Sequence, residues 1–251
     1  MTPSCDAILL VSRWAMPAAK TTARPQAVLA APGPRARRAP APRPYHHGDL
    51  RACLLDAAAR WLDERGAETL TLRELARAAG VSHAAPYHHF AGRDELLAGV
   101  AELAFDRLAD ALAAAADAPD AALALLDIGE SYVREALAHP AQFRLMFGPM
   151  LARKSEHPGL RRAAERAFTV LLQAATRHAP ARGLELALAG WSLSHGAANL
   201  AIDGAFGGLP IAPAQARRLA RLDAGALVRG MVAGMLQLPD PQPAKGASRR
   251  R

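Results

Sequence analysis

Residues 71–90 read TLRELARAAGVSHAAPYHHF, and this stretch decides the fold. Thr71 can cap a helix and Glu74 follows three residues later, which is the pattern of a capping box. The apolar residues behind the cap recur at helical spacing, at Leu72, Leu75, Ala76 and Ala79. Gly80 comes next, and glycine adopts the positive φ that ends many helices. The pattern predicts a short helix closed by a glycine turn.

A second short helix is predicted after this turn. Ser82 can cap it, and Pro86 lies within its first turn or so, where a missing amide is best tolerated. Tyr87 and Phe90 are the expected hydrophobic anchors. Two short helices joined by a tight glycine turn form a helix-turn-helix, whose second helix enters the major groove of DNA. The stretch alone also fits an ordinary helical hairpin in an all-α core.

The flanking sequence favours the helix-turn-helix. Upstream, an amphipathic helix with Asp49 as its capping residue ends at Gly66. Downstream, a long helix begins at Arg93 with acidic residues in its first turn, where the helix dipole favours them, and it ends near Ala116. The chain therefore contains a three-helix unit followed directly by a long fourth helix.

This arrangement resembles the TetR family of transcriptional regulators between residues 45 and 97. The matching positions are Leu54, Leu55, Gly66, Thr71, Leu75, Ala76, Ala79, Gly80, Val81, Ser82, Tyr87, His89, Phe90, Arg93 and Leu96. The chain departs from the common pattern at Ala84-Ala85-Pro86, where the family often carries Gly-Thr-Leu. This departure leaves the base preference open.

The resemblance implies an all-α protein, in which an N-terminal three-helix helix-turn-helix DNA-binding unit joins a C-terminal helical ligand-binding and dimerisation domain. We expect a disordered basic Pro/Ala/Arg-rich tail at 1–44, the DNA-binding domain at 45–92, the effector-binding and dimerisation domain at 93–238, and a disordered basic tail at 239–251. Apolar spacing and Pro or Gly breaks predict helices at 120–138, 141–147, 160–178, 184–206 and from Pro213 to just before Pro239.

The net charge of +8 does not locate a DNA-binding surface. Residues 1–44 carry +6 and residues 239–251 carry +3, so the predicted folded part is nearly neutral. Four arginines between positions 35 and 43 lie just before the DNA-binding unit. As a flexible arm they would add salt-sensitive affinity that does not depend on base sequence. A passive tail, or a coding start at Met16, is the alternative.

The family resemblance assigns DNA contacts to individual positions. The predicted DNA-binding residues are Gly48, Thr71, Arg73, Ser82, His83, Ala84, Tyr87, His88 and Arg93. Serine and histidine can bond to base edges, and an alanine methyl can pack on thymine methyls. Tyr87, His88 and the residues at helix starts more often contact phosphates. Each of these residues is alternatively a solvated surface residue.

An effector pocket is predicted in the C-terminal half. Trp191 and His195 share a helix face at i, i+4 spacing, and with Gly196 they resemble a Trp-His-Gly subgroup of the family. The predicted lining residues are Phe143, Met146, Phe147, Phe168, Trp191 and His195. His195 is the polar group expected to orient a ligand. The alternative is a packed core in which this histidine is satisfied by the protein.

A homodimer is implied by the resemblance, because in the TetR family the last two long helices form a two-fold four-helix interface. The last helix carries Gly230-x-x-x-Gly234 beside apolar residues, which suits close packing. A two-fold dimer would present two recognition helices to half-sites roughly 34–36 Å apart. Helix packing within one chain is the alternative.

Other classes of function find little support in the sequence. No apolar run approaches the length of a membrane span, and two cysteines provide no disulfide framework or metal cluster. Gly190-x-Ser192-x-Ser194 lacks the final glycine of a nucleophile elbow. We expect no enzyme activity, cofactor, metal or membrane partner, and a bacterial cytoplasmic protein associated with the nucleoid through DNA.

The sequence therefore predicts a ligand-responsive transcriptional regulator. We expect a repressor that binds a palindromic double-stranded DNA operator as a dimer and is released by a small-molecule effector. A helical sensor or interaction protein with a vestigial DNA-binding unit is the alternative. The sequence leaves open the operator sequence, the effector, the regulated genes, and repression against activation.

Overall fold

The computed structural model describes residues 47–148, 156–221 and 223–237. The tails predicted at 1–44 and 239–251 lie outside these ranges. Within them the chain forms α-helices, short 3-10 helices and turns, and these ranges contain no β-strand. The predicted all-α fold is confirmed.

The helices follow the predicted order with some changed ends. The α-helices are α1 (His47–Arg65), α2 (Leu72–Ala78), α3 (Arg93–Ala116), α4 (Ala121–Ala138), α5 (Pro140–Phe147), α6 (Pro158–His178), α7 (Gly183–Ile202), α8 (Pro213–Leu219) and α9 (Ala224–Met235). Within the described ranges, short 3-10 helices lie between some of them, at Ala85–His88, Pro180–Arg182 and Ala205–Gly208.

The N-terminal helices enclose a small hydrophobic core. Leu54, Leu62, Leu75 and Phe90 are almost completely buried in it. The start of α3 belongs to the same core, because Leu96 is fully buried and α3 packs against α1. The two helices approach closely at Gly99, where a Cβ atom would lie 2.7 Å from a methyl carbon of Leu55. A side chain at position 99 would therefore force the Leu55 side chain to move.

The C-terminal helices form a bundle around α4. Helix α3 packs along α6 and also contacts α4 and α5, while α4 packs against α7 and α9. The buried residues of both parts form one continuous hydrophobic cluster. The long helix α3 thus carries the N-terminal unit at one end and a wall of the bundle at the other.

Three predicted helix boundaries were wrong. Helix α1 begins at His47, so Asp49 lies inside its first turn and is not its cap. Helix α7 stops at Ile202 because the chain turns at Gly204, whose φ is +67°. The predicted last helix is two helices, because the Asp223 carboxylate accepts a hydrogen bond of 2.7 Å from the Ala226 amide and starts α9 afresh.

Candidate nucleic-acid interface and ligand cavity

Helix α2 begins with the predicted cap but only half of the predicted capping box. The Thr71 hydroxyl accepts a hydrogen bond of 3.1 Å from the Glu74 amide. The Glu74 carboxylate does not reach back to Thr71, because it pairs with Arg77 at 3.2 Å. This threonine therefore stabilises the start of α2, whatever it contacts on a nucleic acid.

The turn after α2 is held by a Schellman motif around Gly80. The φ of Gly80 is +66°, as predicted for a helix-ending glycine. The Val81 amide donates to the Ala76 carbonyl at 3.0 Å, and the Gly80 amide donates to the Arg77 carbonyl at 3.2 Å. These are the two bonds that define the motif. The turn direction therefore does not depend on a partner molecule.

The prediction of a second α-helix after the glycine turn was wrong. Residues 82–88, which we call the recognition segment, contain only the 3-10 helix Ala85–His88, and Ser82 caps no helix. The Ala85 amide bonds to the Ser82 carbonyl, and the Tyr87 amide bonds to the Ala84 carbonyl, both with i to i+3 spacing. An α-helix starting at Ser82 would need the amide of Pro86 as a donor, and proline has none.

The recognition segment has one buried and one exposed side. Pro86 and Phe90 are almost completely buried and anchor the segment, whereas Tyr87 is 58 % exposed. The prediction that Tyr87 is a hydrophobic anchor was therefore wrong. The exposed residues of the segment are Ser82, His83, Ala84, Tyr87 and His88. These are the five side chains that the sequence assigned to the groove.

The predicted phosphate contacts at helix starts have different surroundings. Arg73 is exposed on α2, and Gly48 lies in the first turn of α1. Arg93 is half-buried, and its Nη2 and Nε donate to the carbonyls of Ala67 and Leu70 at 2.8 and 3.0 Å. Arg93 therefore ties the start of α3 to the loop before α2 with two of its three nitrogen atoms.

A cavity of about 550 Å³ lies inside the helical bundle. Its walls come from α3, α4, α5, α6, α7 and α9, and they are almost entirely aliphatic or aromatic. Of the six predicted lining residues, Met146, Phe147, Phe168 and Trp191 line this cavity. A cavity of this size suits a small organic ligand.

The other two predicted lining residues, Phe143 and His195, lie behind the wall. His195 Nδ1 is 2.9 Å from the Tyr132 hydroxyl, and the Trp191 indole N–H donates to the same hydroxyl oxygen at 3.3 Å. The His195 ring also packs against Phe147, with ring centres 4.6 Å apart. The Nδ1 atom of this histidine is thus bonded within the protein, and His195 is not among the residues that line the cavity.

Burial controls the protonation of this polar cluster. Burial lowers the pKa of His195, so its imidazole is neutral at neutral pH. Burial also raises the pKa of Tyr132, with the Trp191 hydrogen bond acting in the opposite direction. Both groups are uncharged near pH 7, and the cluster therefore brings hydrogen-bonding capacity but no charge to the cavity.

The sequence missed three polar residues that line the cavity, Tyr132, Ser194 and Arg161. Ser194 was considered only as part of a failed nucleophile motif. Its i, i+3 spacing from Trp191 places both on one face of α7, which is a usable signal. Tyr132 gave no comparable signal, because its role depends on how α4 packs against α7.

A polar cluster connects the bundle to the N-terminal unit. The Gln142 side chain on α5 is buried, and its amide nitrogen donates to the Asp63 carboxylate on α1 at 2.6 Å. Its oxygen accepts from Arg107 on α3 at 3.0 Å. His139 lies 3.1 Å from the same oxygen of Asp63. Helix α5 therefore lines the cavity on one side and binds α1 and α3 on the other.

Two further kinds of feature are absent from the described residues. They hold no group of three or more His, Cys, Asp or Glu residues placed to bind a metal ion. None of the helices described is long and apolar enough to cross a membrane.

Comparisons with known proteins agree with this geometry. The profile of the family described as "Bacterial regulatory proteins, tetR family" matches residues 54–100, and the one described as "Tetracyclin repressor-like, C-terminal domain" matches residues 125–223. No curated protein matches the chain. The Trp-His-Gly subgroup is not identified by these matches.

Solved structures of similar proteins cover most of the chain. A protein of unknown function from Rhodococcus sp. RHA1 is 30 % identical, with a TM-score of 0.63, over 78 % of this chain and 98 % of that one. The TetR family transcriptional regulator PfmR from Thermus thermophilus is 25 % identical, with a TM-score of 0.50, over 74 % and 97 %. With its exposed recognition segment, its helical bundle and both family matches, the chain belongs to the TetR family of helix-turn-helix, DNA-binding transcriptional regulators.

Proposed function

We propose that this regulator is a ligand-responsive repressor of the bacterial cytoplasm. It binds a palindromic operator as a homodimer and leaves the operator when a small-molecule effector occupies the cavity. The observation that carries the proposal is the connection through α5. One side of this helix contributes Met146 and Phe147 to the cavity, and Gln142 on the same helix bonds to the DNA-binding unit.

DNA recognition is assigned to the recognition segment. Its exposed hydroxyl, imidazole and methyl groups suit base edges and phosphates in a major groove. Residues 45–93 carry six Arg and six Asp or Glu residues. Because the unit has no net charge apart from its histidines, its DNA affinity depends on where a few groups lie and not on overall basicity.

Dimerisation is assigned to exposed apolar residues on α7 and α9. Every fourth residue of α7 from Leu184 onward is at least partly exposed, and we call this row the α7 stripe: Leu184, Leu188, Ser192, Gly196 and Leu200. Met231 and Gly234 are exposed on α9. An i+4 row of leucines and small residues is a ridge that can pack against a second copy of itself.

Release by an effector requires that the ligand prefer one conformation. A near-complete reversal from 1:99 to 99:1 needs a preference of about 5.5 kcal/mol. A ligand that displaces α5 moves Gln142. Because Gln142 bonds to Asp63 on α1 and to Arg107 on α3, the positions of both helices change. Such a displacement alters the separation of the two recognition segments in a dimer, and a tilt of α3 has the same effect.

The test uses the DNA upstream of the regulator's own gene. Fluorescence polarisation should show saturable, salt-sensitive binding that exceeds binding to a scrambled duplex of the same length. The double variant Tyr87→Ala and His88→Ala should lose at least about tenfold in affinity, equal to about 1.4 kcal/mol. Both side chains are exposed, so circular dichroism should be unchanged.

Leu123→Ala is the matched control, because it also truncates an exposed residue but lies on α4. It should bind DNA like the parent. Unchanged affinity in a folded Tyr87/His88 variant would remove these residues from the interface. If the parent chain shows no sequence preference on any upstream fragment, the helical sensor with a vestigial DNA-binding unit replaces the repressor.

A further inference from the structure

The cavity wall contains a buried serine whose hydroxyl has no hydrogen-bond partner among the described residues. Ser194 lines the cavity and is 4 % exposed, yet it makes no hydrogen bond with any residue in the described ranges. Helical hydroxyls often bond to the carbonyl four residues earlier, as Thr169 does to Glu165 at 2.7 Å. Ser194 does not, and because no side-chain oxygen of the described residues is both fully enclosed and unpaired, the Ser194 hydroxyl oxygen has accessible surface. Its hydroxyl is therefore available to a molecule in the cavity.

The position of Ser194 defines a polar end of the cavity. Its Oγ lies near Gly129 on α4, 3.4 Å from where a Cβ of that glycine would be. Tyr132 is one helical turn further along α4 and also lines the cavity. The Tyr132 oxygen accepts from Trp191 and pairs with His195, and these two contacts leave its hydroxyl one further hydrogen-bonding position, whose direction depends on the His195 tautomer. Two uncharged hydroxyls thus belong to the wall between α4 and α7.

Apart from one exposed arginine, the described wall offers no partner for a charged group. Arg161 is the one charged residue among those that line the cavity within the described ranges. Its side chain is 63 % exposed and its Nη1 lies 3.7 Å from Glu165, so its charge is in solvent at the rim. No described lining residue is acidic. An unpaired ion moved from water into such an apolar space is strongly disfavoured.

We propose that the effector is an uncharged, mainly hydrocarbon molecule with a hydroxyl or carbonyl group that hydrogen-bonds to Ser194. The proposal rests on the function proposed above, since it specifies the ligand of the same cavity. The volume of about 550 Å³ holds up to roughly 18 non-hydrogen atoms at about 30 Å³ each. The hydrocarbon part contacts the aromatic and aliphatic wall, and the polar group lies between α4 and α7.

Four probes with the same hydrocarbon chain test this class: 1-decanol, 2-decanone, decanoate and decylammonium. Isothermal titration of the full chain near pH 7 should show binding of the alcohol and the ketone. The two ions should bind at least about tenfold more weakly. Ser194→Ala should weaken 1-decanol about tenfold, the upper range for one hydrogen bond. Ser131→Ala is the matched control and should leave the affinity for 1-decanol unchanged, because Ser131 is a buried serine on α4 that does not line the cavity.

The outcomes separate this inference from the repressor proposal. If either ion binds as tightly as the alcohol, if none of the four binds, or if Ser194→Ala leaves the alcohol unaffected, the proposed effector class is wrong. The upstream-DNA titration without any probe reports on operator binding alone. A chain that binds 1-decanol through Ser194 but no operator would retain the ligand class and lose the repressor function.

Discussion

Arg93 illustrates how one side chain can serve the fold where a DNA contact was expected. Its guanidinium spans the gap between α3 and the loop before α2, and it satisfies the carbonyls of Ala67 and Leu70. A lysine carries the same charge but cannot donate to both carbonyls in the planar geometry of arginine. Substitution by lysine therefore separates a structural role from a phosphate contact.

We expect Arg93→Lys to lower the free energy of unfolding by about 1.5–3 kcal/mol, the range for hydrogen bonds to charged groups. Urea denaturation followed by circular dichroism measures this change. Arg73→Lys is the control, since Arg73 is exposed on α2 and should stay within about 0.5 kcal/mol of the parent. A stable Arg93→Lys protein with reduced operator affinity would instead restore the phosphate role.

The neutral His195 makes stability depend on pH. Burial lowers its pKa in the folded state, so below the ordinary value of about 6.5 the unfolded chain binds more protons. Its contribution is complete above about pH 6.5 and is lost as the pH falls through the lowered folded pKa. We expect His195→Phe to lose less stability than the parent between about pH 7.5 and about pH 5.5. Urea denaturation at the two pH values measures the difference.

His178→Phe is the control for this comparison, because His178 ends α6 away from the Tyr132 cluster. It should follow the parent between the two pH values. Equal losses in the parent and the His195→Phe variant would mean that His195 takes up its proton in the folded state as readily as in the unfolded chain.

At the scale of single elements, α5 is short but joins three parts of the molecule. It lines the cavity, and its Gln142 bonds to α1 and α3. The amide of a buried glutamine has both a donor and an acceptor, so one side chain can accept from Arg107 and donate to Asp63. Leucine has a similar volume but can do neither.

We expect Gln142→Leu to lower the free energy of unfolding by about 1–3 kcal/mol, because it leaves two charged groups with fewer partners. Gln173→Leu is the matched control, as Gln173 is exposed on α6. Thermal and urea unfolding of both variants measures the contrast. Two equally small effects would show that the Gln142 hydrogen bonds contribute little to the packing of α5 against α1 and α3.

The sequence predicted elements well where local chemistry decides them. Thr71, Asp120 and Gly80 each mark a helix end that the structure contains, because caps and glycine turns act within a few residues. The recognition segment was harder. Its letters suit an α-helix, but Pro86 is buried and lacks an amide, and these two facts leave a 3-10 turn with Tyr87 facing outward.

The cavity was predictable only in part, for a different physical reason. Aromatic and methionine residues on α5, α6 and α7 indicated an apolar space, and four of six predicted residues line it. Whether His195 faces a ligand or a neighbour depends on Tyr132, which is 63 residues away in sequence. Contacts of that separation are set by packing of whole helices and leave no local pattern.

At the scale of the molecule, the α7 stripe is the surface that a dimer would cover. Leu188 is 43 % exposed in this stripe, and a glutamate there would place a charge within an apolar interface. We expect Leu188→Glu to sediment as a folded monomer and to lose most of its operator affinity, since one recognition segment then binds alone. Analytical ultracentrifugation and polarisation measure the two effects.

Leu123→Glu introduces the same charge at an equally exposed leucine on α4 and is the control. It should leave the assembly state unchanged. A dimeric Leu188→Glu protein would exclude the α7 stripe as the interface. A parent protein that is monomeric at micromolar concentration would exclude the homodimer itself.

The cavity wall and the proposed dimer surface are built in part from the same helices and share one residue. Leu188 belongs to both the α7 stripe and the cavity wall, and Val232 and Met235 of α9 belong to the same wall. A second copy seated on α7 and α9 would therefore close one edge of the cavity, and the two equilibria would be linked. The apparent dissociation constant of the effector should then rise as the regulator is diluted. The cell would sense the amount of regulator and the amount of effector together.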